Sequence, residues 1–347
     1  MTMPAHAYLL AMASAGATSA AALPFWRRWC LRHGVVDEPG ARKIHNQPLP
    51  LAGGLAVMTG LAAAALGLLV LWRWGARPVV PPFPTPVVGG APEELGGGGV
   101  AALLRQALRG HTLEWLGLLL GALGMWAVGS LDDRRELRPR VKFAGQFFVA
   151  ALVAASGVRP TLFGPSLVLN YAVTILWTLT VVNAFNFTDN MNGLCAGLGA
   201  IGASWFAVYA VAGSQCLAAL LALSTAGALL GFLPHNFPKA RAFLGDAGSH
   251  LVGYLLAVLA MLAWADTTPQ RKRHCAVLVP LCVLAVPLAD LVQVVIVRWR
   301  LGKPFYVGDT NHLSHRLVRL GLSPTLAVLV LWLAAALAGA LALWCCL

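Results

Sequence analysis

Long apolar runs, separated by short segments that gather charge, proline and glycine, recur along nearly the whole chain. A helix needs about 20 mostly apolar residues to cross the ~30 Å hydrocarbon layer of a bilayer. Runs of that order stand at 5–26, 51–72, 112–131, 143–157, 166–185, 194–213, 215–233, 246–264, 275–297 and 323–345. The pattern predicts an all-α, polytopic transmembrane helical bundle of about ten spans, within nine to eleven, the fourth being short. It forms a single membrane-embedded domain over 1–347. The segment 73–111, with Pro-Pro-Phe-Pro-Thr-Pro at 81–86 and four glycines at 96–99, cannot build a core and reads as a flexible outer loop within that domain. Val100, Leu103, Leu104 and Leu108 allow a short interfacial helix inside it.

Composition agrees with a lipid-embedded chain: 59% hydrophobic and 11% charged, with a mean hydropathy of +0.73, against about a quarter charged in soluble domains. A formal charge of +12 would suggest nucleic acid in a soluble protein, but in a membrane protein Lys and Arg mark the cytoplasmic side. Arg27 and Arg28 follow the first apolar run instead of preceding it, which predicts a retained span with its N-terminus outside. The cytoplasmic segments are then 27–50, 132–142, 186–193, 234–245 and 298–322, and they hold 17 of the 25 Lys and Arg residues. Arg271, Lys272 and Arg273 run against this asymmetry. The seven cysteines include no C-x-x-C pair and no zinc-type spacing, and read as small apolar residues.

The acids sharpen the picture, because an aspartate at the bilayer centre costs about 2.5 to 3.5 kcal/mol. Asp37, Asp132, Asp133, Asp189, Asp246 and Asp309 all fall in or at the mouth of cytoplasmic segments, Asp290 lies about two turns inside a span toward the same face, and Asp266 is outside. Four constellations stand out. Ser130-Leu131-Asp132-Asp133-Arg134-Arg135 ends a span, with Lys142 beyond it; adjacent carboxylates suit a hard cation and arginines suit phosphate. Asn183 to Gly193 carries Asn183, Asn186, Asp189, Asn190 and Asn192 at a span end, with Asn183, Asn186 and Asp189 at helical i, i+3 spacing. Pro234 to Lys239 leads to Ala242-Phe243-Leu244-Gly245-Asp246-Ala247-Gly248-Ser249, a turn opening a span, whose backbone amides favour phosphate and whose Asp246 can hold a cation. Asp309 to Arg316 places His312 and His315 beside Arg316, a set able to bind phosphate or move a proton. Each alone has a plain structural reading, as a span boundary, an asparagine-rich turn, a helix cap or ordinary surface charge. Together they fall on one face.

These motifs, with Asp37-Glu38-Pro39-Gly40-Ala41-Arg42-Lys43-Ile44-His45 and Pro48 to Gly54 ahead of them, resemble the polyprenyl-phosphate N-acetylhexosamine-1-phosphate transferases, the superfamily that includes phospho-MurNAc-pentapeptide translocase. The match runs from about residue 37 to 320 with the motifs in family order. The last-loop pattern D-x-x-H-L-x-H-R-L and Asp290 after Pro287 resemble the WecA and TagO branch. The resemblance implies that Asp132 and Asp133 are the paired acidic residues of catalysis, with Lys142 the catalytic basic residue nearby and Asp189 a further catalytic residue. It implies that Asn186 and Asp246 hold Mg²⁺ or Mn²⁺, and that Phe243 stacks on uracil. Asn192 and Asn236 would line the nucleotide pocket, while His312, His315 and Arg316 would contact phosphate or sugar. Two positions depart from the bacterial pattern, Asn192 where Asp is usual and Ser314 where His is usual.

The implied reaction transfers HexNAc-1-phosphate from a UDP-N-acetylhexosamine, with GlcNAc favoured, to undecaprenyl or another polyprenyl phosphate, releasing UMP as the first membrane step of a cell-envelope glycan pathway. The expected partners are those two substrates and membrane lipid, with a homodimer compatible and no nucleic acid. The expected location is the bacterial inner membrane with the site on the cytoplasmic face. The competing readings are a UDP-sugar or polyprenyl-phosphate binder of the same fold without turnover, and a transporter. The carboxylates cluster at one face and do not line a midplane, which counts against the transporter.

Overall fold

A computed structural model describes residues 4–38, 47–74, 111–160, 166–265, 273–304 and 306–346. Residues 39–46 of the first motif, nearly all of the 73–111 loop with the apolar residues that would allow an interfacial helix, and Asp266, Arg271 and Lys272 lie outside the described residues. The helices are α1 (Ala5–His33), α2 (Gly53–Trp74), α3 (Thr112–Arg135), α4 (Pro139–Ala155), α5 (Leu167–Thr188) and α6 (Leu194–Ala212). They continue with α7 (Cys216–Phe232), α8 (Gly245–Ala265), α9 (Arg273–Val283), α10 (Ala285–Arg300), α11 (Leu313–Arg319) and α12 (Pro324–Cys346). Two short antiparallel strands, β1 (Val36–Asp37) and β2 (Leu49–Pro50), pair Val36 with Pro50 and Asp37 with Leu49.

Among the described residues eight helices, α1, α2, α3, α5, α6, α7, α8 and α12, are long and apolar enough to cross a membrane. The expected ninth span is a bent pair: α9 and α10 meet at 73°. Pro280 and Pro287 flank the break at Leu284, and Pro287 has no N–H to return to the carbonyl one turn earlier. The expected fourth span, α4, has 17 residues and rises about 26 Å, and its first turns carry Arg140 and Lys142. All ten apolar runs are thus helical among the described residues, but eight are long and apolar enough to cross, a ninth is the bent pair, and α4 falls short of that length.

The bundle is organised around α8, whose span is 89% buried and which packs against α3, α5, α6 and α2. Without a hydrophobic force between helices in lipid, close packing depends on small residues at the seams. A methyl at Gly129 of α3 would run into the Asp246 carbonyl of α8, and one at Gly121 into Tyr254, whose hydroxyl donates to the Leu118 carbonyl at 2.9 Å. On the other side of the bundle Gly227 and Gly231 of α7 face the carbonyls of Met12 and Gly16 on α1. At one end of the bundle β2 and the start of α2 are laced to the segment before α8: Phe243 N–H donates to the Pro50 carbonyl at 3.0 Å, and Gly53 and Gly54 N–H donate to the carbonyls of Phe243 and Leu244 at 2.9 Å each.

Gly227→Ala should lower the thermal stability of the detergent-solubilised protein by about 1–3 kcal/mol, because the methyl forces α7 off α1. Gly67→Ala on α2, with open space around its Cβ position, should leave stability unchanged or raise it by up to about 1 kcal/mol. Equal melting temperatures for the two variants would show that the α1–α7 seam does not depend on the glycine.

Candidate active site

The C-terminal end of α3 delivers Asp132 and Asp133 in opposite directions. Asp132 Oδ1 accepts the Leu137 N–H at 2.7 Å and so shapes the turn that ends with Pro139 at the start of α4. Its other oxygen meets the ammonium of Lys142, one turn into α4, at 2.7 Å. Lys142 Nζ also lies 2.6 Å from Asp246 Oδ2 on α8 and 3.2 Å from Asn186 Oδ1 on α5. Asn186 returns its Nδ2 to Asp246 Oδ1 at 2.6 Å and to Ser249 Oγ at 3.1 Å. Four helices thus meet on one ammonium.

Asp133 has a different task. Its two oxygens accept the backbone N–H groups of Asp246 at 2.7 Å and Ala247 at 3.0 Å, an acidic cap supplied by another helix to the positive end of α8. Gly245, at φ +74, brings its backbone against this carboxylate; a Cβ there would lie 2.9 Å from Asp133 Oδ2. Asp189, at the end of α5, accepts the Gly245 N–H. The first three amides of α8, expected to be open to a phosphate, are therefore held by the chain's own carboxylates. Burial pushes the Asp189 carboxyl well above the usual carboxylate range, and Asp246, Asp133 and Asp37 push it further in the same direction. Asp37, from the first motif, is thus close enough to act on this acidic group.

One turn deeper lies a polar layer that the sequence reading did not assign. Asn183 Nδ2 donates to Gln146 Oε1 at 2.8 Å, and Gln146 Nε2 lies 2.8 Å from His250 Nε2; Gln146 and His250 are fully buried. The signal was present in the spacing, since Gln146 follows Lys142 by four residues and His250 follows Asp246 by four, each on the same helix face.

The remaining expected residues fall in two groups. Asn236 is buried and fully engaged, accepting the Gly193 N–H at 2.7 Å and donating to the Ala242 carbonyl at 2.9 Å, so its amide braces two loops. Asn192 donates to the Pro238 carbonyl at 3.2 Å, and Phe243 is half-buried at the mouth of α8. His312, His315 and Arg316 belong to a second cluster around α11. There Ser314, one of the two departures, donates to Asn190 Oδ1 at 2.7 Å and ties this loop to the α5–α6 turn. Burial lowers the proton affinity of His315, and His312 and Arg319 lower it further. Asp309 is half-buried, which acts upward on its carboxyl, but Arg298 at 3.2 Å and the Asn311 backbone and side chain bring it to about 2.

The arrangement is that of a cation position. Two carboxylates and an amide oxygen from three helices converge on one positive group, which is the hard oxygen chemistry that magnesium takes. Among the described residues no set of three or more His, Cys, Asp or Glu side chains is grouped as ligands, so the donor set depends on Asn186. A cavity of about 360 Å³ lined by Phe237, Pro238, Lys239 and Arg241 adjoins Asn192, and a groove of about 750 Å³ runs between α10, α11 and α12.

Residues 115–264 match the family described as glycosyl transferase family 4. A Bacillus subtilis (strain 168) protein named "Probable undecaprenyl-phosphate N-acetylglucosaminyl 1-phosphate transferase" is 30% identical, the alignment covering 89% of this chain and 77% of that one. A Mycolicibacterium smegmatis protein named decaprenyl-phosphate N-acetylglucosaminephosphotransferase is 32% identical over 93% of this chain and 79% of its own. A Salmonella typhi protein named undecaprenyl-phosphate alpha-N-acetylglucosaminyl 1-phosphate transferase is 24% identical over 90% and 76%.

Asp133→Asn keeps the size of the side chain but turns an amide N–H₂ toward a backbone donor of α8. It should cost about 1–3 kcal/mol of stability, read as a lower melting temperature in detergent. A wild-type melting curve would mean that the α8 amides find another acceptor.

Proposed function

The chain belongs to the polyprenyl-phosphate N-acetylhexosamine-1-phosphate transferases of glycosyl transferase family 4, and from that premise we propose how its own residues carry out the transfer. It is a multi-pass membrane enzyme that transfers GlcNAc-1-phosphate to a polyprenyl phosphate. In this reading the donor is UDP-GlcNAc and the acceptor is undecaprenyl phosphate. The active site lies at the cytoplasmic face of the bacterial inner membrane, a placement supported by the excess of Lys and Arg in the loops on that side. The product feeds a cell-envelope glycan.

An oxygen of the lipid phosphate attacks the β-phosphorus of the nucleotide; the new P–O bond forms as the bond from that phosphorus to the bridging oxygen breaks, and UMP departs with the electron pair. Two anions must meet, so the site has to supply positive charge at fixed positions. The observation that carries this reading is the convergence of Asp132, Asp246 and Asn186 on the Lys142 ammonium. Asp246 and Asn186, with Asp132 beside them, are the residues that would hold Mg²⁺. Bound there, Mg²⁺ supplies charge neutralisation for a diphosphate and its leaving group. Lys142 adds a mobile positive charge beside the same position. Asp132 orients the lipid phosphate; that group is already largely ionised near neutral pH, so positioning outweighs proton removal.

Asp133 and Asp189 serve this site by fixing the start of α8, and thus Asp246. In this reading Phe243 stacks on uracil and Asn192, whose amide donates to Pro238 at the Lys239–Arg241 cavity, contacts the nucleotide, while Asn236 braces the loops behind it. His312, His315 and Arg316 face the donor's phosphate or sugar.

Purified protein supplied with UDP-GlcNAc, Mg²⁺ and undecaprenyl phosphate should release UMP, and EDTA should stop the release until Mg²⁺ is restored. Asp246→Ala should lower the rate by about 10³-fold and Lys142→Met by about 10²-fold. Full UMP release by Asp246→Ala would remove the metal assignment.

A further inference from the structure

α10 carries Asp290, Val294 and Arg298 at i, i+4 and i+8, and all three are buried. This stripe and its neighbour Gln293 hold Asp309 to Leu313, the residues that lead into α11. At its outer end Arg298 pairs with Asp309 at 3.2 and 3.4 Å and lies over the Phe187 ring at 4.9 Å. In the middle, Gln293 Nε2 donates to the Asn311 carbonyl. At its inner end Asp290 is 3% exposed, a carboxylate inside a membrane-spanning pair that the reaction as derived above does not use.

Both oxygens of Asp290 are engaged. Oδ1 accepts the Leu313 N–H at 2.6 Å, and Oδ2 lies 2.7 Å from His312 Nδ1. A ring nitrogen against a carboxylate carries the proton, so Nδ1 donates and Nε2 points from the opposite edge of the ring, away from Asp290. Phe187 meets the His312 ring edge-on with centroids 6.1 Å apart, and His315 stands at the same centroid distance, so neighbours also fix the ring plane. Phe187 follows Asn186 directly on α5, so the ring packed against His312 belongs to the chain neighbour of an amide in the Lys142 cluster.

We propose that Asp290 is a positioning residue that fixes the ring and the tautomer of His312, so that Nε2 is presented to the donor's diphosphate or sugar. The inference rests on the reading that His312 contacts the donor. A purely structural role, holding the start of α11, would be served nearly as well by asparagine, which caps helix ends about as well as aspartate does. Tautomer control would not. An amide offers one acceptor where Leu313 N–H and His312 Nδ1–H need two, and its N–H₂ would force the proton of His312 onto Nε2. In serine proteases the corresponding exchange costs about 10⁴-fold in turnover through the wrong tautomer.

The test uses full-length protein in nanodiscs. Asp290→Asn should lower kcat for UMP release by about 10²-fold with KM for UDP-GlcNAc changed less than about threefold, while Asp290→Glu should recover at least about a tenth of wild-type turnover. In a His312→Ala background, Asp290→Asn should have no further effect beyond about twofold. Histidine ¹⁵N spectra, which need no turnover, should show His312 protonated at Nδ1 in the wild type and altered in Asp290→Asn. An unchanged His312 resonance in Asp290→Asn, or an undiminished effect of that change in the His312→Ala background, overturns the positioning role. A resonance that responds to Asp290, combined with full turnover of His312→Ala, overturns the donor contact of His312 and with it the purpose proposed for the pair.

Discussion

Four carboxylates, Asp132, Asp133, Asp189 and Asp246, crowd one end of a bundle of apolar helices, and the Lys142 ammonium lets two of them stay side by side. Like charges in a medium of low dielectric repel strongly, and removing an ion from water is expensive unless each lone pair finds a partner. The chain meets both demands by dividing the acids. Asp132 and Asp246 share Lys142, while Asp133 and Asp189 are satisfied by backbone N–H groups at the start of α8. Lys142 thus ties α3, α5 and α8 to α4 at this end of the bundle.

This arrangement is possible because the helices approach closely where the charges are. Gly129 brings α3 against the Asp246 carbonyl, and Gly245 brings the first turn of α8 against Asp133. Gly54 stands against the Gly248 amide, which seats the α2 end of the lacing between Pro50 and Phe243. A Cβ at any of these points would come within 3 Å of the facing backbone or carboxylate, so the chain around Asp246 would have to shift. The geometry of the Lys142 cluster and the packing of the bundle are therefore one constraint.

The α10–α11 region repeats the principle with other groups. A buried guanidinium and a buried carboxylate on the same stripe of α10 each take up a polar partner from the following loop. The Ser314–Asn190 hydrogen bond then joins that loop to the α5–α6 turn. Ser314 is thus a connection between α11 and the α5–α6 turn. The groove beside this region carries Arg316 and Arg319 among apolar side chains at a helix end, a composition that suits the boundary between lipid and water.

Sequence alone determined the class of the protein and the gathering of its acidic motifs at the ends of the apolar runs. Apolar runs of about 20 residues fix helices that lipid will accept, and the placement of Asp and of Lys and Arg along them assigns the polar ends to one side. The apolar runs are helical among the described residues, and Asp132, Lys142, Asn186 and Asp246 were legible because polar side chains are costly within the hydrocarbon and so collect at span ends. Hydropathy could not show that the ninth passage breaks at Leu284, since each half is apolar either way. Only the tertiary structure decided what each acid does. Asp132 and Asp133 are adjacent in sequence, yet successive residues on a helix point about 100° apart, so one faces Lys142 of α4 and its neighbour the amides of α8. The same directional rule hid the Gln146–His250 contact and the Asp290–His312 pair, whose members lie on separate helices and meet only when those helices pack.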